Sequence, residues 1–307
     1  MPRVLFAGDV NVDVMMGGME SLPVVDREVI CKTYDVVMGA STVLCACAYR
    51  SLGGEAAIIG LVGNDDYGEF MLRGLRGFGL NTDLVKRTSG VKTGVTVNLI
   101  YRNTRTQVTY PGTIAEFEGP DLEEATLRGF DHVHCGGVYL QTKFRPRLTA
   151  LLELARGMGL TTSLDPQWDS TERWEGMDEW LPLLTWLFVN QDEALSISKA
   201  ATAEEACRRL AARTNCPLVK TGPDGALVWT GEGVESVPTW PVQVVDTTGA
   251  GDSFDAGFLF ATLEKRMDPV AAGRFANAVA ARSCMFVGGV NARSSYEDIL
   301  RFMAAQP

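Results

Sequence analysis

Residues 246–257 read DTTGAGDSFDAG, in which small residues and hydroxyls stand just before an apolar run. Glycine at 249 and 251 lets the backbone turn tightly and present its N–H groups without interference from a Cβ atom. Apolar residues then recur at helical spacing, so we predict that a helix begins at this turn. Unsatisfied N–H groups and the helix dipole attract anions to such an end. The stretch therefore predicts an anion site formed by Gly249, Ala250 and Gly251.

Asp252 directly follows these small residues and has two interpretations. An acid in the first turn of a helix complements the helix dipole, which stabilises the helix by about 0.3–1 kcal/mol. An acid beside an anion site can instead accept a proton from a hydroxyl that attacks a bound phosphate. Taken alone, these twelve residues favour the first interpretation.

The composition of the chain excludes several classes of protein. Its 307 residues are 46% hydrophobic and 21% charged, as in an ordinary globular protein that buries a core. The net charge of −10 argues against a nucleic-acid-binding protein, which normally has a basic face. The seven cysteines have no C-x-x-C spacing and there are two histidines, so no zinc site is expected. With no signal peptide and no apolar run of membrane-span length, we predict a reduced, cytoplasmic protein without membrane partners.

The alternation of apolar and helical patterns predicts the fold. Buried strands are expected at residues 3–9 and 56–63, and four more strands alternate with helices between residues 131 and 222. This spacing is typical of βαβ units, so we predict an α/β fold with a doubly wound, mainly parallel sheet flanked by helices. Two long helices, beginning near Thr248 and Pro269, are expected to close the chain.

Two segments, residues 14–37 and 93–112, do not fit this alternation. Their hairpin-like patterns are compatible with edge strands of the main sheet or with a small separate sheet over one end of it. Periodicity alone does not choose between these arrangements.

Two common phosphate-binding motifs are absent from the sequence. The lack of G-x-x-x-x-G-K-[ST] excludes a P-loop NTPase, and the lack of G-x-G-x-x-G after the first strand argues against a dinucleotide-binding fold. The question of a phosphate site therefore returns to the turn before Asp252.

The sequence around this turn resembles a known family. Residues 244–263 read VVDTTGAGDSFDAGFLFATL and closely resemble the second signature of the PfkB or ribokinase family of carbohydrate kinases, while residues 39–83 resemble its first signature. In that family the G-A-G-D turn holds the transferring phosphoryl group, and its aspartate is the catalytic base. The resemblance implies that Asp252 is the base. The donors of the anion hole would be Gly249, Ala250 and Gly251.

The resemblance also implies an architecture and a set of ligands. It implies one catalytic domain over residues 1–307, with a small β-sheet lid formed by residues 14–37 and 93–112. ATP and Mg²⁺ are the implied cofactors, with K⁺ as a further candidate. The implied partners are a small-molecule acceptor and a second copy of the chain, paired through the lid.

Substrate and nucleotide contacts are implied by three further matches. Asn11 and Asp13 in GDVNVD would bind the sugar, although these residues alone favour a capped turn at a strand end. VKTGPDGA, residues 219–226, resembles the turn that contacts the nucleotide, and FANAVAARSCMFVGG resembles the helix bordering adenine. Alternatively, these are a hairpin turn and a helix with one polar residue. The implied nucleotide residues are Thr221, Gly222, Gly225 and Asn277.

Metal binding is implied at two places. Asn190 and Glu193 in VNQDEA form the N-x-x-E pattern, in which Asn190 borders the nucleotide and Glu193 holds Mg²⁺ through water. Magnesium prefers oxygen ligands and keeps several waters, which suits this pair, although the same residues could simply start a helix. Asp246 and residues 288–295 resemble the carbonyl-rich loops that hold a monovalent cation.

The first signature departs from the family pattern at the acceptor. It implies substrate contacts from Gly39 and Ala40, but the family commonly has Gly at the second position and Asn where our alignment places Leu44. Replacing an amide with an apolar side chain removes hydrogen bonds that a polyol needs, so we expect ribose to be a poor acceptor. Two alternatives stay open: a nucleoside kinase of the same family, and a phosphate- or nucleotide-binding sensor without catalysis.

Overall fold

The computed structural model describes residues 1–101 and 104–305, and the strands of this part form two sheets. The strands are β1 (Arg3–Gly8), β2 (Asn11–Gly17), β3 (Thr33–Met38), β4 (Glu55–Gly63), β5 (Val85–Thr88), β6 (Gly94–Tyr101), β7 (Thr104–Tyr110), β8 (His132–Gly136), β9 (Thr161–Asp165), β10 (Trp186–Asn190), β11 (Cys216–Lys220), β12 (Ala226–Trp229) and β13 (Val234–Val237).

The large sheet has the strand order β13-β12-β11-β10-β9-β8-β1-β4-β5. From β11 to β5, each pair of adjacent strands is parallel. At the β11 edge the sheet continues with β12, which is antiparallel to β11, and with β13, which is antiparallel to β12. The predicted mainly parallel, doubly wound sheet is therefore confirmed, and the strands expected at residues 3–9 and 56–63 are β1 and β4.

Helices cover both faces of the large sheet because its strands are apolar on both sides. In β1, Val4 and Phe6 enter one core while Leu5 and Ala7 enter the other. The first core is covered by α1 (Ser41–Ser51), α2 (Asp66–Gly77), α9 (Ala250–Leu263), α10 (Pro269–Ser283) and α11 (Tyr296–Ala304). The second is covered by α4 (Glu124–Leu127), α5 (Leu148–Gly157), α6 (Met177–Trp180), α7 (Gln191–Ser198) and α8 (Ala203–Ala211), and a short α3 (Thr113–Glu116) follows β7.

The small sheet has the order β3-β2-β6-β7, with β2 parallel to β6 and the outer pairs antiparallel. Its two faces differ, because successive side chains of a strand point to opposite sides. Thr96, Gln107 and Thr109 on one face line a cavity, whereas Val108 and Tyr110 on the other are exposed. Residues 102 and 103, inside the segment predicted as lid, lie outside the described residues.

The end of the chain differs from the prediction. The helices expected near Thr248 and Pro269 are confirmed as α9 and α10, but α11 follows them and was not predicted. Its start is a capping box in which Ser295 and Asp298 bond each other's backbone N–H groups. The Ser-x-x-Asp pattern before an apolar helical stripe was the available signal.

Two further features of the structure concern the cysteines and the helices. All seven cysteines are free thiols, and five of them are buried. Within the described ranges, no helix is both long and apolar enough to span a membrane.

Candidate active site

The candidate site lies at the carboxyl ends of the parallel strands, where ligands bind in open α/β sheets. Asp9 follows β1, Asp165 ends β9 and Lys220 ends β11. The amino end of α9 meets these strand ends, since Lys220 Nζ donates to Asp255 Oδ1 of α9 over 3.1 Å. Polar residues that are far apart in sequence are thus collected at one edge of the sheet.

The turn before α9 has the predicted geometry. Gly249 has a φ of 73°, a left-handed conformation that favours glycine, and α9 begins at Ala250. The Ala250 N–H donates to Thr247 O over 3.2 Å and so takes part in the turn itself. The N–H groups of Gly251 and Asp252 lie in the first helical turn, where donors have no partner within the helix, whereas the Ser253 N–H donates to Gly249 O over 2.8 Å. The structure therefore places Gly249, Ala250 and Gly251 at a helix end suited to an anion.

Asp252 is buried at this end, and a serine holds its carboxylate. Ser41 Oγ donates to Asp252 Oδ1 over 2.5 Å, and Gln167 Nε2 donates to Ser41 Oγ over 3.1 Å. Burial, and next the charge of Asp165, raises the pKa of Asp252 to about 7, against the opposing effects of Ser41 and Lys220. A base with a pKa near 7 is well matched to proton transfer at neutral pH.

A first cavity of about 260 Å³ opens in front of Asp252. Its polar wall contains Asp9, Asn11 and Asp13, and Asn11 Nδ2 donates to Asp13 Oδ1 over 3.2 Å. Gly39 makes room for this pair, because a Cβ on Gly39 would lie 2.2 Å from Asp13 Oδ1. Asn11 and Asp13 thus line the cavity, and Gly39 leaves the space that their side chains occupy.

Ala40 and Leu44 also line the first cavity. Ala40 has a φ of 72° and a ψ of 128°, a conformation that a residue with a Cβ rarely adopts. This agrees with the alignment that places a family glycine at this position. Leu44 presents an apolar side chain to the same cavity.

Sequence reasoning missed several residues of the first cavity. The buried Asp9 belongs to it, and burial raises the pKa of its carboxyl group to about 7. Trp168 lies at the cavity with 44% of its surface exposed, and its ring centroid is 5.5 Å from that of Trp174. These residues follow different strands, and no local pattern links them. The other missed lining residues include Ser41, Thr96, Gln107, Thr109, Tyr139 and Gln167.

A second cavity of about 470 Å³ lies on the other side of the amino end of α9. Gly222, Gly225 and Asn277 line it, as do mostly apolar residues between positions 239 and 254. Asn277 Nδ2 donates to Val237 O over 2.8 Å, so its amide supports the cavity wall. Thr221 is not among the described residues that line it; its N–H closes the turn by donating to Gly225 O over 2.9 Å.

The two cavities meet at α9. Gly249 and Asp252 line the first cavity, whereas Ala250 and Gly251 line the second. A group bound at this helix end is therefore reachable from both sides. This arrangement suits the passage of an anionic group from a molecule in one cavity to a molecule in the other.

Asn190 and Glu193 form a capping box at the start of α7. Glu193 N–H donates to Asn190 Oδ1 over 2.9 Å, and Asn190 N–H donates to Glu193 Oε2 over 2.8 Å. Neither residue is among the described residues that line the two cavities. Burial, and next the charge of Asp165, raises the pKa of Glu193 to about 7. The charges of Asp165 and Lys220, at the ends of β9 and β11, therefore act on the Glu193 side chain.

Asp246 connects two loops. Its Oδ1 accepts from Thr248 N–H and its Oδ2 accepts from Gly288 N–H, each over 2.9 Å. The segment before α9 and the loop at residues 288–295 are therefore held together, as the predicted carbonyl-rich site requires. The carboxylate itself is occupied by these backbone donors.

The chain is similar in sequence to known carbohydrate kinases. The model of the pfkB family carbohydrate kinases matches residues 26–294. The chain is 33% identical over 299 residues to the ATP-dependent ribose-1-phosphate kinase of Halopiger xanaduensis, covering 96% of this chain and 95% of that protein. It is 26% identical over 306 residues to the ribokinase of Bacillus subtilis, covering 98% and 100%.

Among solved structures, the nucleoside kinase of Methanocaldococcus jannaschii superposes with a TM-score of 0.85 at 20% identity, covering 99% of this chain and 98% of that one. At this identity the likeness shows the fold alone. The match of the family model over most of the chain identifies its function class. The chain belongs to the pfkB family of carbohydrate kinases and is an ATP-dependent kinase.

Proposed function

We propose that the protein transfers the γ-phosphate of ATP to a hydroxyl group of a small sugar or sugar-like substrate, with Asp252 as general base. The observation that carries this proposal is the position of Asp252 in the first cavity, at the helix end whose Ala250 and Gly251 line the second cavity. ATP would occupy the second cavity and the acceptor the first.

The reaction follows from these positions. The acceptor hydroxyl oxygen attacks the γ-phosphorus while its proton passes to the Asp252 carboxylate. The bond between the γ-phosphorus and the β–γ bridging oxygen breaks, and its electron pair leaves with ADP. N–H groups at the amino end of α9 stabilise the negative charge on the transferring group. Ser41 orients the base through its 2.5 Å hydrogen bond to Asp252.

Residues of the second cavity suit a nucleotide. Its apolar lining suits a base, and Gly222 and Gly225 let the chain pass close to the ligand. Asn277 would affect nucleotide binding by holding the cavity wall through its hydrogen bond to Val237 O. Thr221 would affect it by closing the turn that contains Gly222 and Gly225.

The two metal ions have different support. Mg²⁺, when bound, would neutralise phosphate charge. Glu193 is buried and is not among the described residues that line the two cavities, so its contact to the ion would pass through water. The capping box leaves Asn190 a role in shaping the helix start. The joined loops around Asp246 fit a site for K⁺ made of backbone carbonyls. If K⁺ has this role, activity will be lower in a large organic cation than in K⁺.

The acceptor is expected to have an apolar part. Leu44, Ile114, Leu140 and Trp168 all line the first cavity, and this observation favours a nucleoside as the second candidate substrate. The Halopiger relative is named for ribose 1-phosphate, so a sugar phosphate belongs in the same screen.

We also propose that two copies pair through the apolar face of the small sheet. Tyr34 and Val108 lie on the two edge strands of this sheet and each expose 60% of their surface. Val97 and Leu99 of β6 lie on the same face and are partly exposed. An exposed apolar surface of this kind is typical of a protein–protein interface. Light scattering on the purified protein, with Val108→Asp as the disrupting variant, tests this pairing. A monomeric wild type would contradict it.

The catalytic proposal is tested by an acceptor screen followed by one substitution. Sugars, sugar acids, sugar phosphates and nucleosides are assayed for phosphorylation by ATP with Mg²⁺. With the best acceptor, Asp252→Asn is expected to lower kcat by about 10²-fold or more, because the amide cannot accept the proton. ATP affinity should be kept.

The matched control is Asp66→Asn, which removes a first-turn acid from α2, away from both cavities. It is expected to cost stability of about 0.3–1 kcal/mol without changing kcat. If Asp252→Asn behaves in the same way, Asp252 is only a helix-start acid. If the wild type phosphorylates no acceptor in the screen, the proposed class of acceptor is wrong.

A further inference from the structure

Lys220 is a buried cation that the reaction described above does not use. Its Nζ donates to Asp165 Oδ2 over 2.7 Å and to Asp255 Oδ1 over 3.1 Å. The two carboxylates come from different elements, β9 and α9, and are almost completely buried. The position of the ammonium is thus fixed between the sheet and the helix.

The ammonium lies beside the anion site. A Cβ on Gly251 would be 3.3 Å from Lys220 Nζ, so glycine at this position allows the close approach. Lys220 also lines the second cavity together with Ala250 and Gly251, and 13% of its side chain is exposed. The ammonium also contacts Asp255 Oδ2 over a longer 3.4 Å. An ammonium has three N–H donors, so a phosphate oxygen would take the place of this longest contact.

Stability alone does not explain this arrangement. Burying an ion pair costs desolvation energy, and well-packed apolar residues in its place are often equally stable or more stable. A fixed cation beside a helix amino end does, however, suit a phosphate, for which lysine provides a compact positive charge. Because the carboxylates already hold the ammonium in place, no reorganisation is needed when negative charge moves during transfer.

We propose that the Lys220 ammonium binds the γ-phosphoryl group of ATP and is a further catalytic residue of this kinase. The inference rests on the proposed function. During transfer the ammonium contacts a non-bridging γ-oxygen next to the Gly251 N–H. It neither gives nor takes a proton, and it stays with the phosphoryl group until that group has moved to the acceptor.

The same charge acts on the base. Burial and the charge of Asp165 raise the pKa of Asp252, whereas Lys220 lowers it. Asp252 must be deprotonated to accept a proton, so kcat falls as the pH drops below its pKa. Removal of Lys220 would raise this pKa, and the acidic limb of the kcat–pH profile would then move to higher pH.

The test compares nucleotides with and without a γ-phosphate, so that it needs no acceptor. Binding of a non-hydrolysable ATP analogue and of ADP is measured by calorimetry with Mg²⁺ for the wild type and Lys220→Met. We expect affinity for the analogue to fall by about 10-fold or more, as for a lost charged hydrogen bond, with ADP affinity retained. An equal loss for both nucleotides, or no loss, would overturn the proposal.

Two further variants separate this role from a structural one. Lys220→Met leaves buried carboxylates unpaired, so Lys220→Met with Asp165→Asn removes one charge of each sign and restores the balance. The double variant should still bind the analogue weakly; recovery of wild-type affinity would mean that Lys220 only supports the fold. Lys265→Met removes a cation that lies over the Tyr296 ring, outside both cavities, and should change nothing.

The pH profile with the best acceptor of the screen completes the test. An upward shift of the acidic limb in Lys220→Met, absent in Lys265→Met, supports the proposal, and an unmoved limb contradicts it. Failure of the wild type to phosphorylate any acceptor would remove the proposed class of acceptor. The contrast between the analogue and ADP would still decide whether Lys220 binds the γ-phosphate.

Discussion

The two cavities on either side of α9 differ in chemistry. The first presents three carboxylates, from Asp9, Asp13 and Asp252, together with amides and hydroxyls. The second is mainly apolar and is bounded by turns that contain glycine and proline. One helix end can therefore serve two ligands, because Ala250 and Gly251 line one cavity and Asp252 lines the other.

The first cavity also combines parts of both sheets, whereas the second is built on the large sheet and its helices. Thr96, Gln107 and Thr109 reach the first cavity from the small sheet. We therefore expect acceptor choice to depend on the small sheet and nucleotide binding to be independent of it.

The largest effect is expected for the choice of acceptor. Leu44 lines the first cavity where an amide would bond a polyol. One lost hydrogen bond in a polar site costs about 1–3 kcal/mol, and with Ala40 also changed we expect kcat/KM for ribose to be at least about 100-fold below that of the best acceptor. Competition kinetics measures this ratio. Ribose as the preferred acceptor would show that our alignment of residues 39–44 is wrong.

The division between the cavities can be tested with two glycines. A Cβ on Gly39 would lie 2.2 Å from Asp13 Oδ1, so Gly39→Ala should raise KM for the acceptor and leave that for ATP unchanged. A Cβ on Gly225, at a φ of 100°, would lie 2.1 Å from Val237 O, so Gly225→Ala should weaken ATP binding and lower stability by about 1–3 kcal/mol.

Gly157→Ala is the matched control for both variants, because a Cβ there meets no atom within 4 Å. Its kinetics should equal those of the wild type. If Gly39→Ala and Gly225→Ala each changed both KM values equally, the two cavities would not have separate ligands.

Glu193→Gln tests the proposed role of Glu193 in binding Mg²⁺. Glutamine can still accept the Asn190 N–H, so α7 should keep its start while the negative charge is lost. We expect a higher Mg²⁺ concentration for half-maximal activity, measured by titration at saturating ATP. Asp298→Asn weakens the similar capping box of α11 and controls for helix capping alone. An unchanged Mg²⁺ requirement in Glu193→Gln would contradict the assignment.

The smallest effect concerns the backbone of the first cavity. Ala40 has a φ of 72°, a conformation that destabilises the folded state by about 1–3 kcal/mol for a residue with a Cβ. Glycine avoids this strain, but it stabilises the unfolded chain by about 0.4–1 kcal/mol because it raises the conformational entropy of that chain. Ala40→Gly should therefore stabilise the protein by about 1 kcal/mol, measured by urea unfolding. Ala48→Gly, inside the regular part of α1, should destabilise it by about 1 kcal/mol. The same sign for both variants would argue against strain at Ala40.

Much of the fold could be predicted because its signals are local. Apolar runs alternating with helical stripes predicted the parallel sheet, and the glycines at 249 and 251 predicted the start of α9. Helix α11 could have been found from Ser295 and Asp298. The small sheet could not be distinguished from edge strands, because its pattern depends on what packs over it.

Local sequence is enough to predict the turn, the helix that follows it and the acid at position 252, since each depends on neighbouring residues. The side chains that surround that acid follow only from the packing of the fold. Ser41 and Lys220 come from α1 and β11, and they meet α9 because parallel strands end at one edge of the sheet. Contacts between such distant residues depend on how strands and helices pack, and periodicity within a segment contains no record of that packing.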